Sequence, residues 1–296
     1  EIVLTAVADI NPDRIAWARE KLGSGITLFD DAIAMMDSGL VDAVAVTIPH
    51  YDHAKYAIAA MRRGLHVMCE KPAGVYTRQA REMNEEAAKH PELVFGMMFN
   101  QRTNCVYRKT RELVQSGKYG RVRRANWIIT NWYRSQYYYD SGDWRATWSG
   151  EGGGVLLNQA HHNLDLWQWI CGMPVRVRAF MSEGKWHDIE VEDDVTAYVE
   201  YEDGHTGVFV TSTGDPHGTN RLEIQMDGAK IVVENDQLML EEFEQLEQDW
   251  TLTNKVPFAS VPSHTVEVET DGLNLQHQGV FNAWAAAILR GEPLVA

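Results

Sequence analysis

Over its first hundred residues the chain alternates short, continuously apolar runs with stretches of helical periodicity. The runs Val3–Ala8, Thr27–Phe29, Ala43–Ile48, His66–Cys69 and Val94–Met98 predict strands. They are apolar on successive residues rather than on every second one, as in parallel strands covered on both faces. Between them the pattern predicts helices over 12–22, 31–37, 51–63 and 76–89. Asn11 before Pro12 reads as a cap followed by proline at the first helical position, and Thr77 offers a cap for the fourth helix. Repeated β–α units with short connections imply an α/β fold, a doubly wound parallel sheet over residues 1–100.

Beyond about residue 100 the pattern changes. A helix over 103–116 ends at Ser116-Gly117, a β-like stretch follows over 122–133, and a strong helix is predicted over 155–171. Strands then dominate, near 175–182, 194–201, 205–213, 220–226 and 229–234. Turn signals at Glu202-Asp203-Gly204 and Asp227-Gly228 join them. A last helix runs over about 274–289. Residues 101–296 therefore read as a second, α+β domain with a large, mostly antiparallel open sheet, joined to the first without a low-complexity linker.

Composition narrows the class. The 296 residues are 45% hydrophobic and 23% charged, an ordinary globular mix that argues against disorder. No apolar run approaches membrane-helix length. The net charge of −15 argues against nucleic acid, whose binding is driven by Lys and Arg. Cys69, Cys105 and Cys171 lie far apart and read as reduced thiols of a cytoplasmic protein. No basic-then-apolar leader opens the chain.

Candidate chemistry begins at Asp9, which closes the first predicted strand. In a dinucleotide-binding fold a carboxylate there accepts hydrogen bonds from the adenosine ribose and disfavours the extra phosphate of NADP. Strands also end in Asp for local turn reasons, and both readings stay open. Lys71 closes another strand, in Glu70-Lys71-Pro72. A lysine at the carboxyl end of a parallel strand points into the crevice where such sheets bind ligands. Its ammonium can stabilise an alkoxide as hydride leaves. The plainer alternative is a surface lysine paired with Glu70.

Thr47-Ile48-Pro49, His53 and Glu70-Lys71-Pro72 together resemble the Gfo/Idh/MocA family of NAD(P)-dependent oxidoreductases, which includes glucose–fructose oxidoreductase and inositol dehydrogenases. The likeness runs from residue 1 to about 290. It implies a Rossmann-type first domain that holds NAD, with NADP also admitted, through Asp9, Thr47, Pro49, His53, Glu70 and Lys71. It implies a second domain that binds substrate and forms a homodimer or homotetramer through its sheet.

In the second domain the block Gly152-Gly153-Gly154 to Asp165 is the informative one. On a continuous helix at about 100° per residue, Asn158, His161, His162 and Asp165 share about a third of the circumference. The resemblance makes His162 the catalytic histidine and Asp165 a second acid; Asn158 and Ala160 stand where relatives usually have Asp and Gly. An amide cannot take a proton but can orient a sugar hydroxyl as donor and acceptor. His161, His162 and Asp165 lack good metal-ligand spacing, so no metal is expected. Eight rings lie between Trp127 and Trp148, most of them read as core or interface. Trp144 and Arg145, just before the glycines, are the better substrate candidates. The acidic run Glu190–Asp194 reads as a strand-entry turn.

The implied activity is hydride transfer between a secondary hydroxyl of a sugar, glycoside or inositol and a nicotinamide, with His162 taking the hydroxyl proton and Lys71 steadying the oxyanion. Alternatives are a redox-assisted glycosidase that uses NAD catalytically, and a non-catalytic cofactor- or sugar-sensing regulator. The glycine-rich phosphate loop is expected about 20 residues before the strand-end acid. Only eight residues precede Asp9. The first strand and its loop are thus expected to lie outside this sequence, a further helix is expected after Ala296, and the chain reads as a fragment of a longer frame.

Overall fold

The computed structural model describes residues 2–296, which fall into two compact units. One runs to Phe99 and includes His277–Ala296; the other is Asn100–Gln276.

The first unit is built from β1 (Ala6–Ala8), α1 (Pro12–Lys21), β2 (Thr27–Phe29), α2 (Ala32–Asp37), β3 (Ala43–Val46), α3 (His53–Met61), β4 (His66–Cys69), α4 (Thr77–Ala87) and β5 (Phe95–Met97). All strand pairs are parallel. They form two sheets, β1 with β2 and β3-β4-β5, in place of one. Val44, Val46, Val67 and Cys69 pack against Ala54, Ala57, Ala60 and Met61 of α3 and Met83 of α4. The alanine face lets α3 lie close to the sheet, so burial stabilises short strands that would not persist alone. Asn11 caps α1 by accepting from Asp13 N–H at 2.9 Å. In α4 Tyr76 holds the cap position instead of Thr77, and Gln79 Oε1 reaches back to the N–H groups of Val75 and Tyr76 at 2.8 and 3.1 Å.

The second unit holds α5 (Cys105–Gln115), β6 (Val122–Ile129), α6 (Gln136–Asp140), α7 (His161–Cys171), β7 (Arg176–Glu183), β8 (Glu192–Glu200), β9 (Thr206–Ser212), β10 (Asn220–Met226), β11 (Ala229–Glu234), β12 (Gln237–Phe243), α8 (Glu247–Thr253) and β13 (Ser263–Val266). Its eight strands are ordered β13-β12-β11-β10-β6-β9-β8-β7, antiparallel except where β6 meets β9. Tyr107 of α5 and Leu166, Trp167 and Ile170 of α7 join Trp127, Phe209, Leu222 and Ile231 of the strands in one core. Trp167 stacks on Phe209 with centroids 5.2 Å apart.

Three further sequence expectations change. The last helix, α9 (Gln276–Arg290), belongs to the first unit rather than the second: Val280 and Trp284 pack with Met68 and Met98, and Trp284 Nε1 donates to Val94 O at 3.2 Å. The helix predicted over 155–171 begins only at His161. Before it, Ala160 N–H reaches back five residues to Val155 O at 2.7 Å, a wider turn that breaks the helical register. Finally, Glu192 and Asp193 of the acidic run, expected in a strand-entry turn, already belong to β8 and are buried. The Asp193 carboxylate accepts from the N–H groups of Lys185 and Trp186 at 3.0 and 2.8 Å. Strands β12 and β13 and helices α6 and α8 had no predicted counterpart. In β12 only Leu240 is fully buried among acidic neighbours, so pairing with β11 rather than its own pattern makes it a strand.

Candidate functional site

In the first unit the predicted residues gather at the carboxyl ends of β1, β3 and β4. Asp9 follows β1; its Oδ1 accepts from Asn11 N–H at 2.8 Å and Arg14 lies 3.6 Å from Oδ2. Thr47 and Pro49 are exposed just beyond β3. Glu70 N–H donates to Val46 O at 2.9 Å, which aligns the two strand ends, and the Glu70 carboxylate accepts from Lys71 N–H at 3.2 Å. The Lys71-Pro72 peptide is cis.

His53, expected at the cofactor side, is a buried residue of the turn. It is 1% exposed, with Nδ1 2.6 Å from Pro72 O and Nε2 2.6 Å from Ile48 O. The ring thus sits between the carbonyls of the two strand-end loops, and its N–H donates to one of them, which helps hold the turn that carries Lys71. Gln79 adds a second brace, donating to Tyr51 O at 3.0 Å. Cys69, next along β4, is chemically quiet: burial pushes its thiol up to about 12.

In the second unit the wide turn before α7 separates Asn158 from the helical arc of His161, His162 and Asp165. Its cause is local. The Glu192 carboxylate takes the N–H groups of Gly154 and Leu156 at 2.9 and 3.1 Å, and burial pushes this carboxyl above its ordinary value. A Cβ on Gly154 would fall 1.9 Å from Glu192 O, so only glycine permits this approach. His161 and His162 then open α7, half-buried.

Asp165, expected to bind substrate, lies one turn further. It is 8% exposed and forms a two-pronged ion pair with Arg102. Trp144 and Arg145 do come together: the guanidinium lies 4.6 Å from the Trp144 ring and 4.7 Å from the Tyr138 ring, and Arg145 Nη1 donates to Tyr138 OH at 2.8 Å. Gln159 Nε2 reaches the same hydroxyl at 3.3 Å. The result is a half-buried ring-and-cation layer beside the glycines, suited to the C–H and O–H faces of a sugar.

Glu151, Tyr138 and Gln159 join this cluster without having been candidates. Tyr138 was grouped with the core rings, Gln159 has no pattern of its own, and a lone Glu among glycines reads as a solvated turn. Glu151 is instead buried and accepts from the Asn158 amide. Among the described residues no group of three or more His, Cys, Asp or Glu is placed to hold a metal ion. No helix among them is long and apolar enough to cross a membrane.

Residues 1–97 match the model of the oxidoreductase family with the NAD-binding Rossmann fold, and residues 107–232 match the Gfo/Idh/MocA C-terminal domain. Levoglucosan dehydrogenase of Pseudarthrobacter phenanthrenivorans is 26% identical over 74% of this chain and 60% of its own length. D-Glucoside 3-dehydrogenase of Escherichia coli is 28% identical over 69% of this chain and 61% of its own. The chain thus spans about three fifths of these curated relatives. The WlbA dehydrogenase of Chromobacterium violaceum, solved with NADH and UDP-GlcNAcA, superposes with a TM-score of 0.81 at 24% identity, covering 98% of this chain and 79% of that one; this is a likeness of fold. With both of its domain models matched in order along one chain, the protein belongs to the Gfo/Idh/MocA oxidoreductase family.

Proposed function

We propose that the protein is an NAD-dependent dehydrogenase that oxidises a secondary hydroxyl of a sugar, glycoside or inositol, with Lys71 and His162 as catalytic residues. The observation that carries this reading is the placement of Lys71 at the carboxyl end of β4, on a turn braced by His53, Gln79 and Glu70. Such bracing holds a charged group in one geometry, which electrostatic stabilisation of a transition state requires.

The neighbouring residues fit a dinucleotide. Asp9, Thr47, Pro49 and Glu70 follow the carboxyl ends of parallel strands, the edge where open α/β sheets bind nucleotides. Asp9 favours NAD over NADP because its carboxylate accepts from ribose hydroxyls and repels an added phosphate. NAD, when bound, supplies the hydride acceptor. Lys71 donates to the substrate oxygen and stabilises the negative charge that develops there. His162 takes the hydroxyl proton, a task suited to an imidazole near neutral pH. Trp144 and Arg145 offer a stacking face and a fixed donor fork, and Asn158 and His161 orient hydroxyls. The names of the two curated relatives support a sugar substrate.

The same reading makes the protein a cytoplasmic homodimer or homotetramer. Its supports are three cysteines outside any disulfide and the exposed apolar side chains of edge strand β7, Val177 and Met181 on one face and Phe180 on the other. The test is NAD binding and NADH formation by the purified full-length protein across a panel of sugars, glycosides and inositols. Absence of both NAD binding and NAD reduction across that panel would overturn the reading.

A further inference from the structure

In a chain of net charge −15, neither Arg134 nor Arg145 forms an ion pair among the described residues. The acids close to them are turned elsewhere: Glu151 Oε2 accepts from Ala146 N–H at 2.7 Å, and Glu190 Oε2 from Trp148 N–H at 3.2 Å. Both guanidiniums instead lie over one ring, that of Tyr138, Arg145 at 4.7 Å and Arg134 at 5.0 Å from its centroid. Arg134 Nη1 is spent on the carbonyls of Trp132 and Tyr133, at 3.3 and 2.9 Å. Arg145 rests against the Trp144 ring as well and gives Nη1 to the Tyr138 hydroxyl. Its Nε and Nη2 donate to no atom of the described residues.

What this cluster offers a ligand is donors. The Tyr138 oxygen accepts from Arg145 Nη1 at 2.8 Å and from Gln159 Nε2 at 3.3 Å, which uses both of its lone pairs, so its one hydrogen points away from them. A guanidinium only donates. A group that only accepts is the complement, and a planar carboxylate matches the guanidinium fork. We infer that Arg145 and Tyr138 form a subsite for a carboxylate carried by the substrate, so that the preferred substrate is an acidic sugar, a uronic acid or its glycoside. One uncommitted fork suits a single negative charge better than a phosphate dianion, and Arg134 adds positive potential behind the ring. Ring contacts hold the Arg145 guanidinium in place before the ligand arrives, which lowers the cost of ordering it. The inference rests on the reading above that this ring-and-cation layer lines the sugar site.

The test compares kcat/KM of the full-length protein for a hexuronate, its neutral methyl ester, the matching hexose and the hexose 6-phosphate. Wild type should favour the hexuronate over the ester and the hexose by about tenfold or more, with the phosphate behind it. In Arg145→Met that preference should shrink to within about threefold. Tyr138→Phe keeps the ring against both guanidiniums and removes only the outward hydrogen, so the preference should fall by about fivefold; this variant decides the matter if Arg145→Met does not fold. An ester or hexose used as well as the hexuronate overturns the inference. So does a preference that neither variant moves, and a 6-phosphate ahead of the hexuronate overturns the assignment to a carboxylate.

Dissociation constants for the same four sugars, read by tryptophan fluorescence, separate this inference from the dehydrogenase reading. Binding that favours the hexuronate through Arg145, without reduction of NAD, leaves the subsite standing and overturns the dehydrogenase. Reduction of NAD by the hexose as readily as by the hexuronate does the reverse. A protein that binds no sugar overturns both.

Discussion

Arg102 grips Asp165 through two nearly parallel hydrogen bonds, Nε to Oδ2 at 2.8 Å and Nη2 to Oδ1 at 2.6 Å. The guanidinium also lies 5.4 Å from the ring of Trp169, so Arg102 is held by two residues of α7. The acid one helical turn after His162 therefore fastens that helix to the short 3-10 turn Asn100–Thr103.

Removing one partner of this mostly buried pair leaves the other charge uncompensated. Asp165→Ala should cost about 3 kcal/mol in urea denaturation, and Arg102→Met with Asp165→Leu should recover most of it. An Asp165→Ala protein with the wild-type midpoint but weaker sugar binding would return Asp165 to the substrate.

Lys71→Ala and His162→Ala should each lower kcat by about 100-fold or more while leaving the thermal transition in place. Lys71→Arg should not rescue the first, because a planar fork cannot replace a compact ammonium at the same point. Wild-type rates in either alanine variant would remove that residue from the chemistry.

His53 acts through the turn it braces. In His53→Ala a buried carbonyl loses its donor and the ring's packing is lost, so stability should fall by about 2 kcal/mol and kcat by about tenfold as Lys71 loses its fixed position. Stopped-flow measurement of hydride transfer should show the loss in the chemical step. An unchanged step in a destabilised protein would make His53 purely structural.

Glu192 gives stability a pH dependence. Its folded carboxyl titrates above the ordinary value of 4.5 because burial penalises the charged form. The folded state then holds this proton more tightly than the unfolded chain. The group's stabilising contribution is full below the unfolded value and is lost as pH rises through the folded one. Glu192→Gln should remove that slope, so its stability relative to wild type should improve as pH rises through this window. Urea midpoints for both proteins from about pH 4 to about pH 8 would show it. Parallel curves would contradict the assignment.

Gly154→Ala should be worse than any of these on stability. A methyl 1.9 Å from a carbonyl oxygen forces the turn before α7 off the β8 strand. Soluble yield and melting temperature of the variant are the measurements, and a wild-type melting temperature would show that the turn can relax.

The strand-end site of the first unit was legible because its signals are local. Apolar runs end at Val46 and Cys69, and the residues just beyond them reach the carboxyl edge of any parallel sheet. The site of the second unit was half legible. His161, His162, Trp144 and Arg145 stood out by type and spacing. The arc that placed Asn158 beside them assumed a continuous helix, and the wide turn at Ala160 removes that premise.

The alternation of strands and helices, the change of architecture near residue 100, and the family resemblance carried by Glu70-Lys71-Pro72 and the His162 helix are all readable along the chain. Only the tertiary structure decided where the buried carboxylates go: Glu151 to Asn158, Glu192 to the glycine turn, and Asp165 to an arginine 63 residues away. It likewise decided that α9 returns to the first unit. The reason is physical. Periodicity records which face of an element is apolar, a local property. The partner that satisfies a buried charge is chosen by desolvation and hydrogen bonding between segments that meet only in the folded chain.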